Sequence, residues 1–359
     1  MSILAIGTYR GAHMAAMVER GGYITALEVD RPGQLRFGAI LSGHIRNTDA
    51  AGTFIDLGPH GEGFMDASKA PAGLPSGSRH IVQVKAEAFR SKLPSLSSSL
   101  SLPGRFCIHL PGESSIFLSR RAKDIPACAG SKTILQESGL PGGFILRAQA
   151  SQATEAALLA EASFLSRLGQ NILEKGQSFS GMSAPMRIIT DVPATPEQII
   201  STLPNPFLKD WLEGMAPDLS NRLVYESAGE SFFESLGLCD SIDGLLARTV
   251  PIPGGNLVIE PTEALVAIDI NSGAAPKTAF CMDAAREIAR QVRLRNLSGM
   301  IVMDFPRLPA KEDAQRIMEI LRHAAAEDPC NFDIAGYSPL RLLEATRTRR
   351  TPSLSECVA

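Results

Sequence analysis

The sequence predicts a multidomain α+β protein. Three observations carry this. The chain has 359 residues, and domains of roughly 150 residues make two or three of them the expectation. From 35 to about 120 the texture is short β-compatible runs punctuated by Gly, Pro and Ser: "FGAILSGHIRN", "GTFIDLGPHGEGFMDAS", "RHIVQVKAEAF" and "KLPSLSSSLSLPG", as in a small barrel or sandwich. From 253 onward strand-like and helix-like segments alternate, the pattern of an α/β layer.

Taken in order, residues 1–34 read as two strands, Met14 to Val18 and Tyr23 to Val29, joined by "ERGG". The Ser-rich piece could be a linker, but Leu93, Leu96, Leu100 and Leu102 argue for an ordered, half-buried segment. Over 151–175, Ala157, Leu158, Glu161, Leu165, Leu168 and Ile172 recur at helical spacing, which predicts an amphipathic helix. A strand is expected at Met186 to Thr190 between prolines, and Thr195-Pro196 is expected to start the next helix. Ser338-Pro339 is likewise read as the N-cap and first residue of a basic helix over "RLLEATRTRR".

Composition bounds the function. Hydrophobic residues make up 44% and charged residues 20%, enough apolar material for a real core. A net charge of −3 and a pI near 6.1 argue against a purely electrostatic nucleic-acid binder, although a local basic stripe can hide in a neutral total. The six cysteines show no C-x-x-C spacing and read as reduced thiols. The amino terminus lacks the pattern of a signal peptide, and no apolar run approaches the roughly 20 residues that span a bilayer. A cytoplasmic protein with no membrane partner is the expectation.

The chemistry gathers near the carboxyl end. In "EALVAIDINSG", residues 263–273, a dry strand ends in Asp269, Ile270 and Asn271; "SGMIVMDF" follows, with Asp304 near its end. The aspartates lie 35 residues apart, the size of one βαβ unit, whose strands run parallel. Both carboxylates should then lie at the carboxyl ends of neighbouring strands, where open α/β sheets place their sites. Asn271, two residues beyond Asp269, projects to the same face. Oxygen donors without nearby His or Cys favour Mg²⁺, or Mn²⁺, over zinc. Such aspartates could instead cap helices or pair with arginine. The helix between the strands, about 277–295, buries Phe280, Ala284, Ile288 and Val292 and aligns Arg286, Arg290 and Arg293 opposite. Those arginines form either a solvated charged face or a stripe that tracks phosphates. Arg347 belongs to the second basic stretch, 341–350. Aspartates holding a metal beside arginines suit phosphodiester hydrolysis.

The stretches "EALVAIDINSG…TAF…AAREIARQVRLRNLSGMIVMDF" and "SPLRLLEATRTRRTPSL" resemble the catalytic segment of the ribonuclease E/G family, bacterial endoribonucleases acting on single-stranded RNA. A weaker, collinear likeness covers nearly the whole chain. The resemblance implies a split RNase H-like scaffold (1–34 and 181–254) and an inserted OB-fold RNA-binding barrel (35–120). It further implies a 5′-sensor-like region (121–180) and a DNase I-like catalytic subdomain (255–359). By the same resemblance Asp269 and Asp304 would hold magnesium, Asn271 would orient the attacking water or the phosphate, and products would carry 5′-phosphate and 3′-hydroxyl ends. Phe54 and Phe64 match base-stacking positions of the barrel, although barrel core is the plainer reading of both. Lys92 matches a basic position there, and Arg147 a residue of the 5′-phosphate pocket.

The departures are specific. Ala148 stands where that pocket has a threonine and Asn331 falls on a basic position, removing contacts to a 5′-terminal phosphate. The loop "SGAAPK" after Asn271 is shorter than the family's Arg- and Gly-containing loop. The cysteines of the family's zinc link are missing after "PSL"; Cys357 alone cannot hold a structural zinc, so any homo-oligomer would form without one. A metal-dependent endoribonuclease is therefore the first expectation. An RNA-binding protein of the same fold with weak or lost catalysis is the alternative, favoured by the short loop, the altered pocket and the acidic pI. A metal-binding α/β protein unrelated to RNA is the third.

Overall fold

The computed structural model describes residues 2–71, 73–227, 231–273, 277–308 and 310–358. Contacts divide the chain into two compact units. The first comprises Met1–Gly7, His13–Met17 and Asp30–Gly229, and the second Thr8–Ala12, Val18–Val29 and Glu230–Ala359. The amino terminus supplies three strands, β1 (Ile3–Tyr9), β2 (Ala12–Glu19) and β3 (Tyr23–Asp30). The turn at "ERGG" falls where expected, and β1 is an additional strand.

In the first unit, β4 (Ile40–Thr48), β5 (Gly52–Asp56), β6 (Glu62–Asp66), β7 (Arg79–Ala86) and β8 (Ser95–Ser97) close into a five-stranded barrel of OB-like type. Its core is Ile55, Leu57, Met65, Val82, Val84 and Leu96 with Ala39. The Ser-rich piece is ordered: Leu96, Leu100 and Leu102 are buried, and Leu93 is exposed. It ends in β9 (Leu102–Pro103), which pairs with β10 (Cys107–Leu110); β11 (Ile116–Leu118) and β12 (Gly143–Leu146) complete a four-stranded sheet. Between the last two lies α1 (Ala127–Glu137).

The predicted amphipathic helix is α2 (Glu155–Lys175), with Thr154 accepting from the Ala157 N–H at its start and Gly176 in the left-handed conformation at its end. Leu158, Leu165 and Ile172 are buried, and so is Glu161. The Glu161 carboxylate accepts from the backbone N–H groups of Arg105, Phe106 and Cys107 at 2.9, 2.7 and 2.9 Å. It thus fills the hairpin loop between β9 and β10, and a side chain at Gly104 would overlap it. Burial pushes this carboxyl up in spite of the three donors and Arg105.

His109, on β10, is 2% exposed and stacks at 4.9 Å on Phe144. Burial pushes its pKa from 6.5 down to about 4. As pH falls through 6.5 the unfolded chain takes up this proton and the folded ring refuses it until about 4, so stability is lost across that window. The expected loss is about 3 kcal/mol. Denaturant titrations from pH 7 to 4 should show it, with a shallower slope in His109→Gln.

Two expectations fail here. Met186 to Thr190 lie in a helix, α3 (Ala184–Asp191), with Pro185 in its first turn. Every residue from Ala184 to Thr190 is buried, so no polar face betrays the helical period. Thr195-Pro196 lead instead into a strand, β13 (Gln198–Ser201), parallel to β1. The next helix is α4 (Pro206–Met215), with Asn205 as its N-cap; α5 (Pro217–Ser220) and β14 (Leu223–Tyr225) follow.

The second unit contains α6 (Ser231–Ser235), α7 (Leu238–Leu246) and a six-stranded sheet. Its strands are β15 (Thr249–Ile252), β16 (Gly255–Pro261), β17 (Leu265–Ser272), β18 (Gly299–Asp304), β19 (Phe332–Tyr337) and β20 (Leu343–Arg347), in the order β15-β16-β17-β18-β20-β19. Only β17 and β18 pair in parallel; the sheet is mixed where a continuous βα alternation was expected. Helices α8 (Lys277–Leu294) and α9 (Lys311–Glu327) contribute to its core, and the predicted face Phe280, Ala284, Ile288 and Val292 is buried. A short helix, α10 (Leu354–Val358), ends the described chain.

The helix expected after Ser338-Pro339 is absent. Arg341 N–H donates to Ser338 O at 2.8 Å with Arg341 at φ +67°, making the turn of a β19–β20 hairpin. Leu343, Ala345 and Arg347 are buried alternately with exposed neighbours, a period of two that the basic composition masks. The six cysteines are all free. Among the described residues no helix is long and apolar enough to cross a membrane.

Candidate active site

Alternation along β17 builds the site. Val266, Ile268 and Ile270 face the core, so Asp269 and Asn271 emerge together on the exposed face. On β18, Ile301 and Met303 are buried and Asp304, its last residue, is exposed. The parallel register sets Asp269 directly beside Asp304. Neighbouring strands lie about 4.8 Å apart, so the two carboxylates form one acidic pair. Asp269 sits three residues before the end of its strand, because β17 runs on to Ser272 in antiparallel pairing with β16.

Asn271 Nδ2 donates to Asp269 Oδ2 at 2.9 Å. Asn256, its register partner on β16, offers Oδ1 at 3.5 Å. Sequence reasoning missed Asn256, whose only signal is its place in the "GGNLVIE" hairpin. A Cβ at Gly255 would overlap the Asn271 carbonyl oxygen and come within 2.7 Å of the Phe280 ring, so this glycine lets β16 close against the site. Neither aspartate has a cationic partner among the described residues. Among the described residues no group of three or more His, Cys, Asp or Glu side chains gathers there either. The pair fits a hard divalent cation that keeps several water ligands, as magnesium does. Of the loop "SGAAPK", residues 274–276 lie outside the described residues.

The arginines separate. Arg286 is exposed and pairs with Asp283 at 2.7 Å, a contact that water screens. Arg290 is half-buried: it pairs with Glu287 at 3.0 Å, donates to the Ile24 carbonyl at 3.2 Å and lies 4.5 Å over the Tyr23 ring. Arg293 follows one turn on, with Nε buried and unpartnered. Together the three help line an open recess of about 210 Å³. Arg347 does not face solvent. It is 3% exposed, its Nε bonds both Asp328 oxygens, and its Nη1 donates to Asn296 Oδ1 and Leu297 O. Arg147 Nη1 donates to the carbonyls of Gly104 and Thr190 at 2.8 and 2.9 Å, and Nη2 pairs with Asp191 at 3.3 Å. Most of its donors are thereby engaged within the protein. Asn331 lies at the start of the β19 hairpin, its carbonyl accepting from Thr348 N–H.

On the barrel, Phe54 and Phe64 are cross-strand partners with ring centroids 5.1 Å apart. Both are half-buried and lie outside the barrel core, on the opposite side of their strands from Ile55 and Met65. Phe64 N–H donates to Pro94 O at 2.9 Å, so the turn carrying exposed Lys92 runs next to this aromatic pair.

The fold and the site define a class: a mixed α+β protein with an OB-like barrel and an in-register aspartate pair on adjacent parallel strands. The model of the Ribonuclease E/G family matches residues 101–350. The chain is 31% identical over 294 residues to ribonuclease G of Haemophilus influenzae, covering 76% of this chain and 60% of that protein. It is 28% identical to ribonuclease G of Escherichia coli over 76% of this chain and 60% of the relative. To ribonuclease E of Synechocystis it is 28% identical over 77% of this chain and 45% of the relative. The chain belongs to the ribonuclease E/G family. It spans about 60% of the length of these ribonuclease G relatives and less than half of the ribonuclease E.

Proposed function

We propose that this chain is a metal-dependent endoribonuclease that hydrolyses phosphodiester bonds in single-stranded RNA, in the cytoplasm, leaving 5′-phosphate and 3′-hydroxyl ends. The observation that carries the reading is the register of Asp269 beside Asp304 with Asn271 bonded to Asp269. Family membership and relatives named as ribonucleases support it. Asp269 and Asp304 would hold magnesium, with manganese as a substitute. Magnesium, when bound, supplies charge that stabilises a developing oxyanion and acidifies a water. Asn271 holds Asp269 in one orientation, and its second amide N–H, at the long distance of 3.5 Å from Asn256 Oδ1, would turn to a phosphate oxygen or the attacking water. The scaffold around β1–β3 and β13–β14 corresponds on this reading to the RNase H-like part, residues 121–180 to the 5′-sensor-like part, and the six-stranded sheet with α8 and α9 to the DNase I-like part.

Phe54, Phe64 and Lys92 are assigned to RNA on the barrel, and Arg286, Arg290 and Arg293 to phosphates. Arg147 and Arg347 are not included, because their guanidinium groups serve internal contacts, whereas Arg290, also partly engaged, lines the open recess with Arg286 and Arg293. Phe64→Ala should weaken oligonucleotide binding by about 1–3 kcal/mol without lowering stability comparably, since the ring lies off the core. Lys92→Ala should flatten the salt dependence of binding by about 0.7 in log–log slope. Filter-binding titrations at several salt concentrations check both.

The reading is tested by incubating the protein with a single-stranded RNA oligonucleotide, with and without Mg²⁺, beside Asp304→Asn. Mg²⁺-dependent cleavage by the parent alone is expected. Salt-sensitive RNA binding with no cleavage under either condition would replace the nuclease by a binding protein of the same fold.

A further inference from the structure

In the first unit an open cavity of about 820 Å³ lies where the barrel rim, α2 and α4 meet. Its volume falls within the roughly 300–1,000 Å³ typical of small-molecule sites. Two helical stripes line it. Phe164, Arg167 and Asn171 lie on one face of α2, and Phe207 and Trp211, four residues apart, on one face of α4. Phe207 is 55% exposed, while Trp211 beside it is 5% exposed. An exposed phenylalanine one helical turn from a sheltered tryptophan gives the concave wall an aromatic surface with one open side.

Three polar side chains in the same cavity are uncommitted. Arg167, Asp210 and the Asn171 side chain have no ion-pair or hydrogen-bond partner among the described residues. An exposed aromatic ring in a concave wall favours a flat ligand that can stack on it. A free carboxylate and a free amide match the N–H and carbonyl edges of a heterocycle, and a free guanidinium matches a phosphate. We propose that this cavity binds a nucleobase together with its phosphate, supplied either by an unpaired residue of an RNA strand or by a free nucleotide. The base stacks between Phe207 and the α2 side of the cavity, Asn171 and Asp210 meet its edge, and Arg167 takes the phosphate. The choice of a nucleotide over other flat anions rests on the nuclease reading. The site itself belongs to different elements from the aspartate pair.

Trp211 is the only tryptophan of the chain, so its fluorescence, excited at the red edge of its absorption, reports the cavity directly. The four nucleoside monophosphates, the matching nucleosides and a single-stranded oligonucleotide are titrated in turn, with ribose 5-phosphate as the ligand lacking a base. Saturable quenching by a monophosphate or by the oligonucleotide is expected, and none by ribose 5-phosphate. Phe207→Ala should weaken the binding roughly tenfold through lost stacking. Arg167→Ala should bring the affinity for the monophosphate down to that of the nucleoside. Both substitutions are on exposed side chains and leave the core intact. Quenching by monophosphates identifies a free-nucleotide site, and quenching by the oligonucleotide alone identifies an RNA-strand site. Absence of saturable quenching by any of these ligands, or unchanged affinity in both variants, overturns the proposal. Asp304→Asn protein should quench as the parent does, so failure of the cavity and failure of the nuclease reading are told apart.

Discussion

Asp269→Asn is expected to lower single-turnover cleavage of single-stranded RNA at saturating protein by at least about 100-fold, with RNA binding changed less than about threefold. The substitution keeps shape and removes one negative charge from the acidic pair. A cation at such a site contributes several kcal/mol of transition-state stabilisation, and about 1.4 kcal/mol corresponds to tenfold in rate. The Asn271 amide, which donates to Asp269 Oδ2, would also face an amide that can present N–H in place of oxygen, so orientation fails together with charge. On the proposed reading the barrel aromatics carry the binding and are untouched. Equal losses of binding and cleavage would mean that Asp269 shapes the RNA path and not the chemistry. Asp304→Asn should match it, since the two residues are register partners.

Glu161→Ala is expected to cost about 3–5 kcal/mol of unfolding free energy, the cost of removing one partner from a buried polar cluster. Glu161 is fully buried and its carboxylate satisfies three backbone N–H groups of the β9–β10 loop. Each donor left without a partner costs about 1–3 kcal/mol. Arg105, whose Nε lies 3.6 Å from Glu161, keeps its bidentate bond to Asp218 and its place over the Phe106 ring. Glu161→Gln preserves the volume and one acceptor oxygen and should cost distinctly less. Chemical denaturation of the three proteins checks the order; an alanine variant as stable as the parent would show that water enters and replaces the carboxylate.

These residues show what was legible in the sequence and what was not. The aspartate pair was readable because a βαβ spacing fixes strand direction, and strand parity fixes the face of Asp269 and Asn271. The bending of the sheet into mostly antiparallel pairing was not, since β16 and β20 carry no signal of direction. Glu161 sat among the apolar positions of α2, and its burial followed from that spacing, but its partners lie more than 50 residues away. Helix α3 was misread because a segment buried all round has no period. The β19–β20 hairpin was misread because Ser-Pro opens turns as readily as helices. The fate of each arginine was illegible: Arg286 and Arg347 share a composition, and only tertiary contacts leave one exposed and bury the other.

The central claim is that Asp269 and Asp304 act as one divalent-cation site. Titration of Mn²⁺, read as loss of the free-ion electron paramagnetic resonance signal, tests it on the parent, Asp269→Asn and Asp304→Asn proteins. One site in the parent, weakened at least about tenfold in each single variant and displaced by excess Mg²⁺, is the predicted result. A site that keeps the parent's affinity in either variant, or no site in the parent with RNA present, would contradict it.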